Sequence, residues 1–472
     1  MSSSNEAIEK KKFKVPHSYV IIFCIVLVMA VLTYIVPAGE YARVEDPNTG
    51  RTVVDPASYE LVEQNPITFF ELWKTIPRGM VAGASIIFFM FVISGAFGII
   101  QSTGSIEAVI SRVALKFRHS GKLLIPIILV IFSIFGATIG MAEETIIFVP
   151  LGIALARALK YDAIVGTSII LLGAACGFLC GAMNPFTVGV AQGLAELPIF
   201  SGIGYRIVMW VVFVGVTAFF IIRYANKIEK DPSKSRVLDL EQEEKGEVID
   251  LDNLPEMSKE HVLVMLTMAA GFAAIIYGVF EYGWYITEIS AAFLITGIAA
   301  GFLGRMGPSR ISKEFVNGAK DIVFGALIVG IARAILLVMQ DGLIMDTIIF
   351  HLANLVQRLP SSITASGMYV VQCIVNFFIP SGSGQAAVTM PIMVPLADVT
   401  GINRQIAVLA FQLGDGISNS ILPQAASCMG ALSVAHIPWE KWARWFLPLL
   451  GVWYLLGLVF MVIAQAFNYG PF

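Results

Sequence analysis

The sequence predicts an all-α polytopic membrane protein made of two inverted repeats, each with a re-entrant hairpin and a broken transmembrane helix. Three observations carry that expectation: a composition too apolar for a water-soluble core, Gly- and Pro-rich interruptions inside apolar segments, and recurrence of those interruptions in the second half. Of 472 residues, 57% are hydrophobic and 14% charged, with a mean hydropathy of +0.79. A soluble domain cannot bury that much apolar surface, so lipid is the solvent. A net charge of −3 with no basic stripe excludes nucleic acid as a partner. Cys24, Cys176, Cys180, Cys373 and Cys428 all fall in apolar segments and read as small buried hydrophobes without zinc-site spacing.

The elements follow in order. Glu9-Lys10-Lys11-Lys12-Phe13-Lys14 precedes the first apolar run, and the positive-inside rule puts the N-terminus in the cytoplasm. The polar stretch from Glu40 to Gly79 reads as an external loop with interfacial aromatics Phe69, Phe70 and Trp73. A second span, Met80 to Ile100, returns to a basic cluster at Arg112 to Lys122. Between them, apolar residues at helical spacing from Ile106 to Phe117 predict an interfacial amphipathic helix.

Lys122 and Lys160 are both expected to be cytoplasmic, so the segment between them must enter and return. A hairpin over 123–160 results, with its tip at Gly140-Met141-Ala142-Glu143-Glu144-Thr145. Irregular backbone at membrane depth is tolerated only inside protein or against a watery cavity. A span over 163–193 is broken by Gly173, Gly177, Gly181 and Asn184-Pro185. Residues 1–226 thus form the first repeat, and the charged stretch 227–260 reads as a solvated cytoplasmic linker.

The second repeat, 261–472, repeats the pattern: two spans, an outward run from Asp321 to Gln340, an amphipathic stretch to Leu359, and a hairpin over 363–400 with its tip at Pro380-Ser381-Gly382-Ser383-Gly384-Gln385. Its broken helix, 405–435, is interrupted from Gly414 to Pro423. Pro150 and Pro395 lie 245 positions apart and Gly104 and Gly342 lie 238 apart, so the correspondence holds over both elements. Counting crossings brings the second repeat in from the opposite face.

Discontinuous helices meeting near the midplane are a secondary-transporter arrangement, because half-helix ends carry partial charge and unwound carbonyls can hold ions. The polar residues embedded there are the candidate substrate contacts: Glu143, Glu144, Thr145 and Asn184 in the first repeat, and Ser381, Gly382, Ser383, Gly384, Gln385, Asp415 and Asn419 in the second. Ionisable groups at that depth are expensive and mark function, with structural hydrogen bonding as the other role open to them. Thr145, Ser418 and Asn419 are hard-oxygen candidates for Na+, or helix-end caps. Arg333 is read as the one basic residue placed mid-span, able to neutralise a buried carboxylate or to bind a substrate carboxylate. No metal or organic cofactor is expected beyond Na+ or H+ as a coupling ion. Two other classes were weighed. An intramembrane serine protease using Ser383 with His436 as base fails because His436 falls in a cytoplasmic loop, and a channel accounts less well for paired gates around a central site.

Val15-Pro16-His17, Val36-Pro37-Ala38-Gly39-Glu40-Tyr41, Gly140 to Thr145, Asn376 to Gln385 and Gly414-Asp415-Gly416 together resemble the YfcC group within the DcuC-like carriers of the ion transporter superfamily, over essentially the whole chain. The resemblance implies an elevator architecture, a homodimer with a central scaffold, and a multi-pass location in the bacterial inner (plasma) membrane. It also implies a small-molecule substrate, either a C4-dicarboxylate or a basic amino acid of the arginine/ornithine type. Two glutamates and an aspartate against the single Arg333 favour the basic amino acid. The sodium-dicarboxylate relatives carry a Ser-Asn-Thr element where this chain has Ala142-Glu143-Glu144-Thr145, so protonation of a glutamate can replace a first sodium ion.

Overall fold

The computed structural model describes residues 18–45, 52–106, 108, 121–138, 140–243, 257–282, 284, 286–360 and 363–470. The N-terminal basic cluster, most of the expected interfacial helix over 106–117 and residues 244–256 of the linker lie outside them.

Each apolar run forms a helix, since a helix satisfies its own backbone groups where water is absent. The first half of the chain contributes α1 (Ser18–Leu32), α2 (Phe69–Ala82), α3 (Ala84–Gln101), α4 (Gly121–Thr138), α5 (Val149–Ala158), α6 (Ala163–Cys180), the short α7 (Val190–Leu194) and α8 (Ile203–Lys230). After α9 (Leu238–Glu243) come α10 (Lys259–Tyr282), α11 (Ile286–Leu303), α12 (Pro308–Asp321), α13 (Val323–Asp341) and α14 (Met345–Gln357). The chain closes with α15 (Thr364–Phe378), α16 (Gly382–Thr400), α17 (Arg404–Ser418), α18 (Ala426–Val434) and α19 (Trp439–Ala466). Among the described residues, α3, α6, α8 and α19 are long and apolar enough to cross a membrane singly, while α13 and α14 form a pair bent by 79°.

One group of helices packs around α3 and α13: α3 lies on α11 and α12, and α13 lies on α1 and α2. In the other group α4 lies on α6, α15 on α17, α5 on α6 and α16 on α17, with α6 and α17 crossing at the centre. In lipid the association of helices depends on close packing at small residues. Gly136 and Gly177 supply it between α4 and α6, where a Cβ would sit 2.0 Å from the Ala174 carbonyl and 1.8 Å from that of Ser133 respectively. The outer faces are apolar and exposed, as at Val208, Val211 and Phe219 on α8 and Leu447, Leu455 and Val462 on α19.

The loop between α1 and α2 has structure that composition does not reveal. Strands β1 (Gly39–Glu40) and β4 (Glu60–Leu61) pair antiparallel, as do β2 (Arg43–Glu45) and β3 (Thr52–Val54). The ribbon docks on α14: buried Asp346 accepts from Tyr41 N and pairs with Arg43 at 3.0 Å, and Tyr59 stacks on Phe350 at 4.0 Å.

The linker also differs from its reading as a solvated stretch. Glu241 on α9 pairs with Arg157 of α5 at 2.9 Å and accepts from Ala163 N, capping the start of α6. Asp239 pairs with Lys441 of α19, and that ammonium holds its carboxyl below the ordinary carboxylate range. A side-chain anion at a helix N-terminus complements its partial positive charge, which accounts for Glu241, whereas the Asp239 side chain stays 64% exposed in its ion pair.

Candidate functional site

The four interruptions meet around one cavity. At the first, α4 ends at Thr138 and Gly140 takes a left-handed φ of 67°. A side chain there would meet Asn184 Oδ1 at 2.5 Å, so the position needs glycine on two counts. Glu143–Ile147 then form one tight 3-10 turn, with Thr145 Oγ1 donating to the Ala142 carbonyl at 2.6 Å and Ala142 N donating to Glu144 Oε2 at 3.0 Å. Met183 N donates to the Ala137 carbonyl at 2.8 Å, tying this tip to the break after α6.

In that break Gly181 is left-handed (φ 53°), and Asn184 caps the next turn by accepting from Phe186 N at 2.9 Å. The second tip runs through Ile379-Pro380-Ser381 into α16, whose N-terminal N–H groups have no intrahelical partner. The second break follows α17. Gln424 Nε2 donates to the Phe377 carbonyl at 2.5 Å, and Trp442 Nε1 and Trp439 Nε1 hold the carbonyls of Ser420 and Ile421 at 2.9 and 2.7 Å.

A cavity of about 370 Å³ lies between these elements. Of the residues singled out in the sequence, Glu143, Glu144, Thr145, Arg333, Ser381, Gly382, Ser383 and Asn419 line it. Arg333, half-buried on α13, stands within electrostatic range of Glu143. Asn184, Gly384, Gln385, Asp415 and Ser418 are not on the wall. Gln385 Nε2 donates instead to the Gln372 side chain at 2.7 Å. Asn376 Nδ2 reaches Ser418 Oγ at 2.7 Å and Asn419 Oδ1 at 2.9 Å. An amide donor therefore already occupies one lone pair on each of two of the three oxygens suggested for Na+.

Asp415 is the least satisfied group. It is fully buried, and neither carboxylate oxygen has a hydrogen-bond partner in good geometry, although the Asn419 side chain lies alongside. Thr187 Oγ1 and Asn184 Nδ2 are likewise buried and unpartnered. A side chain at Gly382 would strike Thr187 Cγ2 at 2.4 Å and come within 3.2 Å of Asp415 Oδ2, so the N-terminus of α16 meets both breaks there. Buried polar groups are nearly always paired in folded proteins, and here three residues with unpaired groups lie close to one another.

Sequence reasoning missed two residues. Asn376 ties α15 to the second break, and only its position ahead of the tip hinted at this. Arg206, at the start of α8, is 1% exposed and donates to the carbonyls of Phe200 and Ala182 at 3.1 and 3.4 Å, so Arg333 is not the sole buried cation. A basic residue at the head of an apolar run reads as an interfacial anchor, which concealed it.

Helices long and apolar enough to cross a bilayer, folded around a polar, charge-bearing cavity, fit a multi-pass membrane transporter. A family model described as "C4-dicarboxylate anaerobic carrier" (DcuC) matches residues 15–466, and the chain belongs to that family. It is 33% identical over 506 residues to an Escherichia coli (strain K12) protein named "Putative basic amino acid antiporter YfcC", covering 99% of this chain and 100% of the relative. A Haemophilus influenzae protein of uncharacterised function is 28% identical, over 96% of this chain and 98% of its own length. Among solved structures, the Alcanivorax borkumensis YdaH transporter aligns over 97% of this chain and 100% of that one at 15% identity with a TM-score of 0.43, a level that carries no argument.

Proposed function

We propose that this protein is a secondary active transporter exchanging basic amino acids of the arginine/ornithine type across the bacterial inner membrane, with its N-terminus in the cytoplasm. The observation that carries the reading is the charge layout of the cavity: Glu143 and Glu144 on one tip, and a neutral tip of Ser381, Gly382 and Ser383 at a helix N-terminus on the other. A cationic side chain would pair with the glutamates, and an α-carboxylate would take the hydroxyls and the free N–H groups of α16. Asp415 and Asn184, off the cavity wall, together with Thr187 on it, are the locus for H+ or Na+. Thr145 and Asn419 keep an oxygen each near the cavity, and Ser418 lies behind it. The name of the Escherichia coli relative supports the same substrate class.

The packing supports two repeats, which we read as inverted. Exchanging the halves turns α3 on α12 into α13 on α2, α3 on α11 into α13 on α1, α4 on α6 into α15 on α17, and the 143–147 turn on α18 into α16 on α7. With hairpins and broken helices in one packed group, an elevator-like movement of that group against the α3 and α13 group, in a homodimer, is the mechanism we favour.

The family description favours a second reading, a C4-dicarboxylate held by Arg333 and the α16 N-terminus. Counterflow in proteoliposomes separates them. Labelled arginine or ornithine is expected to accumulate against the unlabelled amino acid, with succinate inert, whether or not a sodium gradient is present. Uptake of succinate and of neither basic amino acid reverses the assignment.

A further inference from the structure

Beside the polar cavity lies a second chamber of about 380 Å³, bounded by α4 and the first tip on one side and by α10 and α11 on the other. Phe148 and Phe272 stack across it at 4.7 Å. We propose that this chamber holds one acyl chain of a bilayer phospholipid, independently of which solute is transported.

Its chemistry admits little else. Among the described residues Glu144 is the only ionisable one on the wall, and its Oε2 already accepts from Ala142 N. Apolar cavities of this kind stay free of water and take apolar guests, and among the described residues the wall offers an anionic metabolite no cationic side chain. The mouth faces the source of such a guest. Ile131 on α4 and Ala269 on α10 line the chamber and are also exposed on the outer surface. Ile131 belongs to an exposed apolar row with Leu123, Ile127 and Ile134, the face that α4 turns to the hydrocarbon. A chain from the adjoining leaflet can therefore enter between Ile131 and Ala269 with its headgroup left outside. Deep inside, Met268 and Phe293 are only 6% and 2% exposed, so hydrocarbon reaches them only through the chamber.

The test uses the full-length protein in nanodiscs containing a phospholipid with a photoactivatable diazirine near mid-chain, with labelled residues mapped by peptide mass spectrometry. Label is expected on Met268 and Phe293. Ala269→Trp, which plugs the mouth at an exposed position, is expected to lower that label about tenfold while leaving Leu123 and Ile127 labelled as before. Label confined to the outer row in the native protein overturns the proposal without reference to any variant. So does displacement of the inner label by saturating arginine or succinate, which assigns the chamber to the transported solute.

Discussion

Asp415→Asn is expected to abolish exchange, lowering its rate at least about 100-fold, or about 2.7 kcal/mol, while leaving the thermal unfolding temperature equal to or above that of the native protein. The two effects have opposite signs for one reason. A carboxylate with both oxygens buried and unpartnered is held at a cost to the fold, typically several kcal/mol for a buried ion. The isosteric amide removes the charge and keeps the shape beside Gly382. A residue kept only for structure would lose stability on this change. One kept to bind a cation or proton loses function alone. Transport at the native rate in Asp415→Asn would remove this residue from the account.

The largest effect on folding is expected at Gly177. A Cβ at this position would lie 1.8 Å from the Ser133 carbonyl oxygen and 2.5 Å from Ala137 N, both backbone atoms of α4. Backbone cannot rotate away as a side chain can, so Gly177→Val must drive α4 from α6. Overpacking typically costs about 1–3 kcal/mol and more where nothing yields. The same two helices carry the first tip and the first break, so the separation also takes apart the wall that bears Glu143. We expect no monodisperse protein on size-exclusion chromatography. Gly215→Ala on α8, where nothing lies within 4 Å, is expected to behave as native. A folded, active Gly177→Val would mean that α4 and α6 do not meet as described.

The places where helices stop were legible because glycine, proline and polar residues inside an apolar run have few other uses in lipid. Glu143, Glu144, Ser381 and Ser383 were found that way, and they share one cavity. What such a scan cannot supply is which buried group faces which. That Gly382 lies between Thr187 and Asp415 depends on α16 packing against the first break, about 200 positions away. Composition misled at the linker, where Glu241 and Asp239 are drawn to a helix start and a lysine. It misled again at Arg206, which donates to the Ala182 carbonyl of a break 24 positions earlier and to the Phe200 carbonyl six positions earlier.

The central claim is that the cavity between the two tips is where the solute binds. Cysteines placed singly at Ala142 and Ser383, one on each tip, test it in proteoliposomes through their alkylation rate with a small hydrophilic thiol reagent. The transported solute identified by counterflow is expected to slow alkylation at both positions, half-maximally at the concentration that half-saturates transport. Alkylation at both tips that is indifferent to saturating solute would contradict the claim.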